Sequence, residues 1–274
     1  MARHRTALNT LHTGILLTGM ALLSGPCHAS PGIRSGLETM EVATYEQSPT
    51  LQLYQRFIKE AYLRLGITTR YTDLPILRAA YSANEGRLDA ILIASTGAEA
   101  GADNMVRVAN PLPEMTFRLV ARVDMPGETL PADLGPYSVA YIHGIHPLER
   151  QFADKKQTLT TNSNMATLAE LLELKRVDLV ALPSLEANLL VQRRQGLKVL
   201  QEPVYTFSVF HYVHQNHKDL AATLADTFRK LKHDGCMEAI TRVVMNNDLN
   251  ASDDTLLDIV NAPDYQPLCP AASD

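Results

Sequence analysis

The side chains of this 274-residue chain that could do chemistry fall into small groups. Tyr45 and Glu46 are adjacent. Ser95 and Thr96 end one apolar run, and Ser184 ends another. His143 and His146 stand three apart, and His211, His214 and His217 repeat that interval. Clustered imidazoles suggest metal ligation, and an imidazole opposite a carboxylate, such as His143 with Glu46, suggests acid/base catalysis. The pattern argues against both. His211 and His214 lie in a stretch that reads as a strand, where residues three apart point to opposite faces. No Cys or carboxylate is read at metal-ligand spacing beside the histidines. There is no Gly-x-Ser-x-Gly elbow, no His-Glu-x-x-His pair and no phosphate loop. The sequence therefore predicts no metal, no cofactor and no enzyme.

What would position them is a unit that occurs twice. Glu85-Gly86-Arg87-Leu88-Asp89-Ala90-Ile91-Leu92-Ile93-Ala94-Ser95-Thr96 is echoed by Lys175-Arg176-Val177-Asp178-Leu179-Val180-Ala181-Leu182-Pro183-Ser184. Each copy follows a helical stretch, turns on a basic residue and an Asp, and runs through apolar residues into a hydroxyl side chain. A short apolar run bounded by polar turns reads as a buried parallel strand. The hydroxyls then lie at its carboxyl end, where open α/β sheets bind ligands. Two such units suggest two similar α/β lobes, although any α/β protein carries several helix–turn–strand units.

The other elements follow the same logic. Residues 37–44 alternate as a strand. Thr50 is placed to cap a helix whose Leu53, Phe57, Ala61 and Leu65 recur every four residues, and Gly66 ends it. Further strands are expected at 68–71, 117–123, 138–142, 198–200 and 208–213. Helices are expected from Pro75, at 164–174, from Ser184 to about 195, and at 218–233. Pro147 suits the first turn of a helix whose amides would face an anion. Asn110-Pro111-Leu112-Pro113 and Glu202-Pro203 read as stiff crossings. This order implies one lobe built from residues 30–111 and 207–274, with a second lobe, 112–206, inserted.

Composition sets the setting. Arg3, His4 and Arg5 precede the apolar run Gly14–Leu23, and Cys27-His28-Ala29 offers small residues for a cut after Ala29. That reads as a signal peptide over residues 1–29 and a periplasmic protein. Losing Arg3 and Arg5 takes the formal charge from −5 to −7. A mildly acidic chain without a basic stretch gives no argument for nucleic acid. Cys236 and Cys269 then remain, an even count that favours a disulfide in an oxidising compartment.

From Leu37 to Val244 the chain resembles periplasmic solute-binding proteins of the family that includes amino-acid receptors of ABC importers. Glu85-Gly86-Arg87-Leu88-Asp89-Ala90 before a strand carries the resemblance, with Val108-Ala109-Asn110-Pro111-Leu112 at the first crossing. Val139 to Gly144, Arg176-Val177-Asp178, and Leu231-Lys232-His233-Asp234-Gly235 before Met237-Glu238-Ala239-Ile240 add to it. The resemblance implies a two-lobed type II periplasmic-binding fold, each lobe a mostly parallel sheet flanked by helices, with two crossovers. It also implies a monomeric receptor that closes on a small polar ligand and serves a membrane permease or sensor. The alternatives are a dehydratase-like enzyme on the same fold and an interaction protein that binds no ligand.

The departures bear on the ligand. The amino-acid receptors clamp a ligand carboxylate with an Arg a few residues past the Asp89 position. Here that place falls near Gly101, and no Arg lies between Ala90 and Asn104. They take the ligand ammonium with an acidic residue about five past the second Asp, and here that place is Pro183. The usual zwitterion clamp is therefore not expected. The expected contacts are Tyr45, Glu46, Ser95, Thr96, His143, His146 and Ser184. Of these, Thr96 matches a ligand position of the family.

Overall fold

Among the described residues, ten strands of three to eleven residues, five of them leading directly into α-helices, build two five-stranded sheets of the same design. The computed structural model describes residues 37–45, 48–96, 102–129, 131, 133–153, 158–161, 165–248 and 269. The expected leader, Glu46 and Gly101 lie outside them. The first lobe carries β1 (Thr39–Thr44), α1 (Pro49–Arg64), β2 (Thr68–Asp73), α2 (Ile76–Asn84), β3 (Ala90–Ser95) and β4 (Met105–Arg107). The second carries β5 (Met115–Arg122), β6 (Val139–Ile142), α3 (His146–Phe152), β7 (Thr158–Thr161), α4 (Met165–Glu173), β8 (Leu179–Pro183), α5 (Ser184–Arg193) and β9 (Leu197–Phe207). The chain then returns to the first lobe with β10 (Val209–His214), α6 (Lys218–His233) and α7 (Cys236–Asp248).

The sheets run β2-β1-β3-β10-β4 and β7-β6-β8-β5-β9. In each, three strands are parallel and the last two pairings are antiparallel. Strand for strand the two correspond, and the repeated sequence unit is the central strand of both: β3 in one, β8 in the other. The repeated Asp has the same task in each. Asp89 Oδ2 accepts the Glu41 amide at 2.8 Å, and the Asp89 amide donates to the Glu41 carbonyl at 2.8 Å. Asp178 Oδ2 accepts the Ser138 amide at 2.9 Å, and the Asp178 amide donates to the Ser138 carbonyl at 3.1 Å. Each carboxylate thus ties the turn before the central strand to the start of its parallel neighbour, where a strand end would otherwise leave an amide unpaired.

Local chemistry moves some boundaries. The cap of α1 is Ser48, whose Oγ accepts the Leu51 amide at 3.3 Å, and not Thr50. Pro49 has no N–H to lose at the first helical position, so the capping residue must precede it. The helix is buried on two sides, against its own sheet and against α6 and α7. Tyr54, Phe57, Ile58, Ala61 and Tyr62 are all buried, while Leu53 is only half-buried. Pro203 does not end the strand before it. β9 continues from Leu197 to Phe207, because it is the edge of its sheet and its pairing with β5 shifts register around Arg118↔Pro203. An edge position tolerates the missing donor. Only Ser208 separates β9 from β10, so one nearly continuous strand carries the chain from one lobe to the other. The first crossing is held beside it, with the Leu112 amide donating to the Val209 carbonyl at 3.0 Å.

Cys236 and Cys269 form a disulfide with Cα atoms 5.7 Å apart. It joins the start of α7 to the chain 33 residues on. Among the described residues no helix is long and apolar enough to cross a membrane.

Candidate functional site

Among the described residues, the segments after β1 and β2 touch those after β8 and β6 across the gap between the lobes. Two contacts close the gap. Glu186, in the first turn of α5, reaches across to the start of α1. Its Oε1 accepts the Thr50 amide at 2.9 Å and its Oε2 accepts Thr50 Oγ1 at 2.5 Å. Thr50 and Glu186 are both buried. Burial holds the Glu186 carboxyl above the usual carboxylate range, against the hydrogen bonds from Thr50 and Ser48 that favour its charge. The second contact is an apolar approach. A Cβ placed on Gly144, after β6, would lie 3.1 Å from the side chain of Ile76 at the start of α2. Gly144 has φ +91°, so glycine is needed there for conformation as well as for approach. Nearer the crossings, Tyr54 of α1 donates to the Pro113 carbonyl at 2.8 Å.

The residues expected to contact a ligand are distributed around this gap. Tyr45 is half-buried at the end of β1, and its hydroxyl donates to the Ile93 carbonyl at 2.6 Å. Burial pushes its phenol well above the ordinary value, so it stays a neutral donor. Ser95 ends β3, with its carbonyl accepting Tyr212 Oη at 3.2 Å, and Thr96 is exposed in the turn that follows. Ser184 opens α5 but does not cap it. Its hydroxyl donates to the Thr116 carbonyl at 3.0 Å.

His143 and His146 are brought together by a residue that the spacing argument passed over. Glu149 stands three residues past His146, on the same face of α3. His146 Nδ1 is hydrogen-bonded to Glu149 Oε2 at 2.9 Å, and His143 Nδ1 lies 2.9 Å from Oε1. The Gly144 amide donates to the same Oε1 at 2.8 Å. Burial acts to raise the Glu149 carboxyl, but the Gly144 amide and the two imidazoles outweigh it and hold it below the usual range. The helix start that was expected to face an anion is therefore already served by the protein's own carboxylate.

The other histidine group does not form a site. His211 is fully buried in the first lobe, with Tyr62 Oη and the Leu92 carbonyl on its two ring nitrogens. His217 pairs with Asp89 at 2.9 Å, at the amino end of β3. The one group of three potential metal-ligating side chains among the described residues is Glu60 with Cys236 and Cys269, whose sulfurs are joined to each other.

No protein-family model matches the sequence, and no curated protein does. Solved structures do. A mutant of the arginine-binding protein ArgBP from T. maritima superposes with a TM-score of 0.65 at 17% identity, covering 76% of this chain and 96% of that one. A histidine kinase sensor domain with similarity to periplasmic binding proteins gives a TM-score of 0.65 at 17% identity, over 76% and 96%. AbpA, an amino-acid ABC transporter substrate-binding protein of Streptococcus pneumoniae bound to L-arginine, gives 0.64 at 14%, over 78% and 97%. The chain has the two-lobed fold of the periplasmic binding proteins.

In this binding fold, Pro183 ends β8 opposite Phe117 and offers no side-chain acceptor. Arg118, on the neighbouring strand, donates to the carbonyls of Leu200 and Gln201 within its own lobe. The residues that reading the sequence missed are Glu149, Glu186, Thr50 and Ile76. Glu149 had a usable signal, the three-residue helical step from His146. Glu186 had a weaker one, a lone carboxylate among the apolar residues Ala187, Leu189 and Leu190.

Proposed function

We propose that the protein is a periplasmic solute receptor whose lobes close on a small polar ligand and present the closed form to an importer permease or a membrane sensor. The observation that carries this is the buried bond from Glu186 to Thr50. It joins the segments after β1 and β8 across the gap, alongside the approach of Gly144 to Ile76, so the gap has a defined closed state. The two lobes divide at the crossings near residues 111 and 207. The solved neighbours include both an ABC transporter substrate-binding protein and a histidine kinase sensor domain, and hinge closure of two lobes around a ligand is a general switching motion. Tyr45, Glu46, Ser95, Thr96, His143, His146 and Ser184 are the proposed contacts.

Without an acceptor at Pro183 and with Arg118 engaged, the ligand is not a free α-amino acid. Burying either of its charges unpaired costs several kcal/mol. None of the twenty should bind more tightly than about 0.1 mM, roughly −5.5 kcal/mol. A thermal-shift screen of the purified chain against metabolites tests the receptor reading, since a ligand at 100 times its Kd adds about 2.7 kcal/mol. X-ray scattering of the Glu186→Ala variant, whose lobes would rest further open, should then show contraction with the hit. A complete library without a stabilising compound would overturn the reading, and a micromolar amino acid would overturn the ligand class.

A further inference from the structure

The His143–Glu149–His146 cluster lies at the exit of β6, beside the point where Gly144 meets Ile76 of the other lobe. Its electrostatics follow from its hydrogen bonds. At 2.9 Å from a carboxylate oxygen, each Nδ1 must carry its proton, because two bare lone pairs would repel. In the neutral rings both Nε2 atoms are then bare acceptors, turned away from Glu149. Glu149 has its charge held by the Gly144 amide and the rings. With both rings neutral, the cluster carries the one negative charge of Glu149 and presents two acceptors. Both rings are about half exposed, His143 at 44% and His146 at 54%, so the acceptors are open to solvent. Neighbouring strand ends add no opposing charge. Thr44 and Tyr45 on β1, Asp73 on β2, Ser95 and Thr96 on β3, and Pro183 and Ser184 on β8 include one carboxylate and no Lys or Arg.

We propose that this cluster is the subsite for a nitrogen cation rich in N–H donors, a guanidinium or primary ammonium group, on a solute without an α-carboxylate. An imidazole Nε2 accepts one N–H, and a charged donor strengthens that bond. The charge of the cation is balanced by Glu149, whose carboxylate fixes both rings through their Nδ1 atoms. A carboxylate on the same solute would find no cationic partner among these strand ends. The proposal rests on the receptor reading and names the class of solute.

The test uses isothermal titration of the purified chain with agmatine and putrescine as carboxylate-free cations, arginine as the carboxylate-bearing control, succinate as an anion, and zinc chloride. One of the two amines should bind, and arginine should bind more weakly than agmatine. His143→Ala with His146→Ala should weaken the amine by roughly tenfold or more, the effect of losing a hydrogen bond to a charged group. Glu149→Gln should do the same with circular dichroism unchanged, while Glu149→Asp restores part of the loss. Amine binding that survives the double histidine variant overturns the subsite. So does binding of succinate with no amine bound. Zinc binding that depends on both histidines, with no amine bound, also overturns it and reassigns the pair as metal ligands. A different solute that drives closure would leave the receptor standing and this subsite refuted. Failure of every compound in the wider screen would refute both.

Discussion

His211 shows how far residue type alone misleads. Three histidines at three-residue intervals look like a ligand set, yet the strand alternation that sends His211 and His214 apart is what the structure has. His211 donates from Nδ1 to the Leu92 carbonyl and accepts Tyr62 Oη on Nε2, at 3.0 and 2.9 Å. Only a neutral ring can do both. Burial lowers its pKa to about 4. The unfolded chain protonates the same ring near 6.5, so between those values the unfolded state binds the extra proton. Stability should therefore be full above about pH 6.5 and fall as the pH drops toward about 4, by on the order of 3 kcal/mol from this residue. Urea unfolding across pH 7, 5.5 and 4 measures the slope. His211→Phe should flatten it even though the variant is less stable at neutral pH. A slope unchanged by that substitution would assign the acid sensitivity elsewhere. The Glu149 partnership was within reach of the same kind of reading. Its signal is the three-residue step from His146 to Glu149, which puts both side chains on one face of a helix.

Elements were legible where period and punctuation agreed. Lys218–His233 is a helix over the expected span, and the duplicated Asp–strand unit became the centre of both sheets. Elements were lost where the deciding force lies in another part of the chain. β4 and β7 are short edge strands that pair with β10 and β6, and their few residues carry no period of their own. β9 runs through Pro203 because of its place in the sheet. The disulfide is the opposite case, since only one pairing of the two late cysteines is possible once the leader is set aside. It ties α7, which packs on α1, to residue 269. Closing a loop of that length adds about 3–4 kcal/mol in the chain-entropy account. Cys236→Ser with Cys269→Ser, or reduction of the native chain, should lower stability by about that amount in guanidinium unfolding at neutral pH. A loss below about 1 kcal/mol would mean that packing alone holds the segment.

At the scale of the molecule, the two-lobed architecture could be read from the order of strands, helices and proline-rich crossings. The closed arrangement could not, because it depends on which side chains meet between distant loops. Glu186→Ala should shift the lobes toward an open form. In the closed form the Thr50 amide and hydroxyl would lose a charged acceptor, a change worth about 1.5–3 kcal/mol. Ile76→Ala should act in the same direction more weakly, by removing the surface against which Gly144 rests. Solution scattering should show a larger radius of gyration for both variants, with unchanged circular dichroism. An unaltered radius for Glu186→Ala would show that the crossings alone set the lobe angle.

The bond between Glu186 and Thr50 also has a bearing on time. It is made by protein groups only, so it contributes to the closed form with or without a bound solute. A receptor built this way must break it once to admit a solute and once to let it go. Its strength then cancels from the dissociation constant and enters both rate constants. Glu186→Gln, which keeps the shape and removes the charge, should speed association and dissociation together in stopped-flow measurements while leaving Kd nearly unchanged. In the proposed receptor, the residue that holds the lobes together would thus act as a clock on occupancy, fixing how long a membrane partner has to find the loaded form.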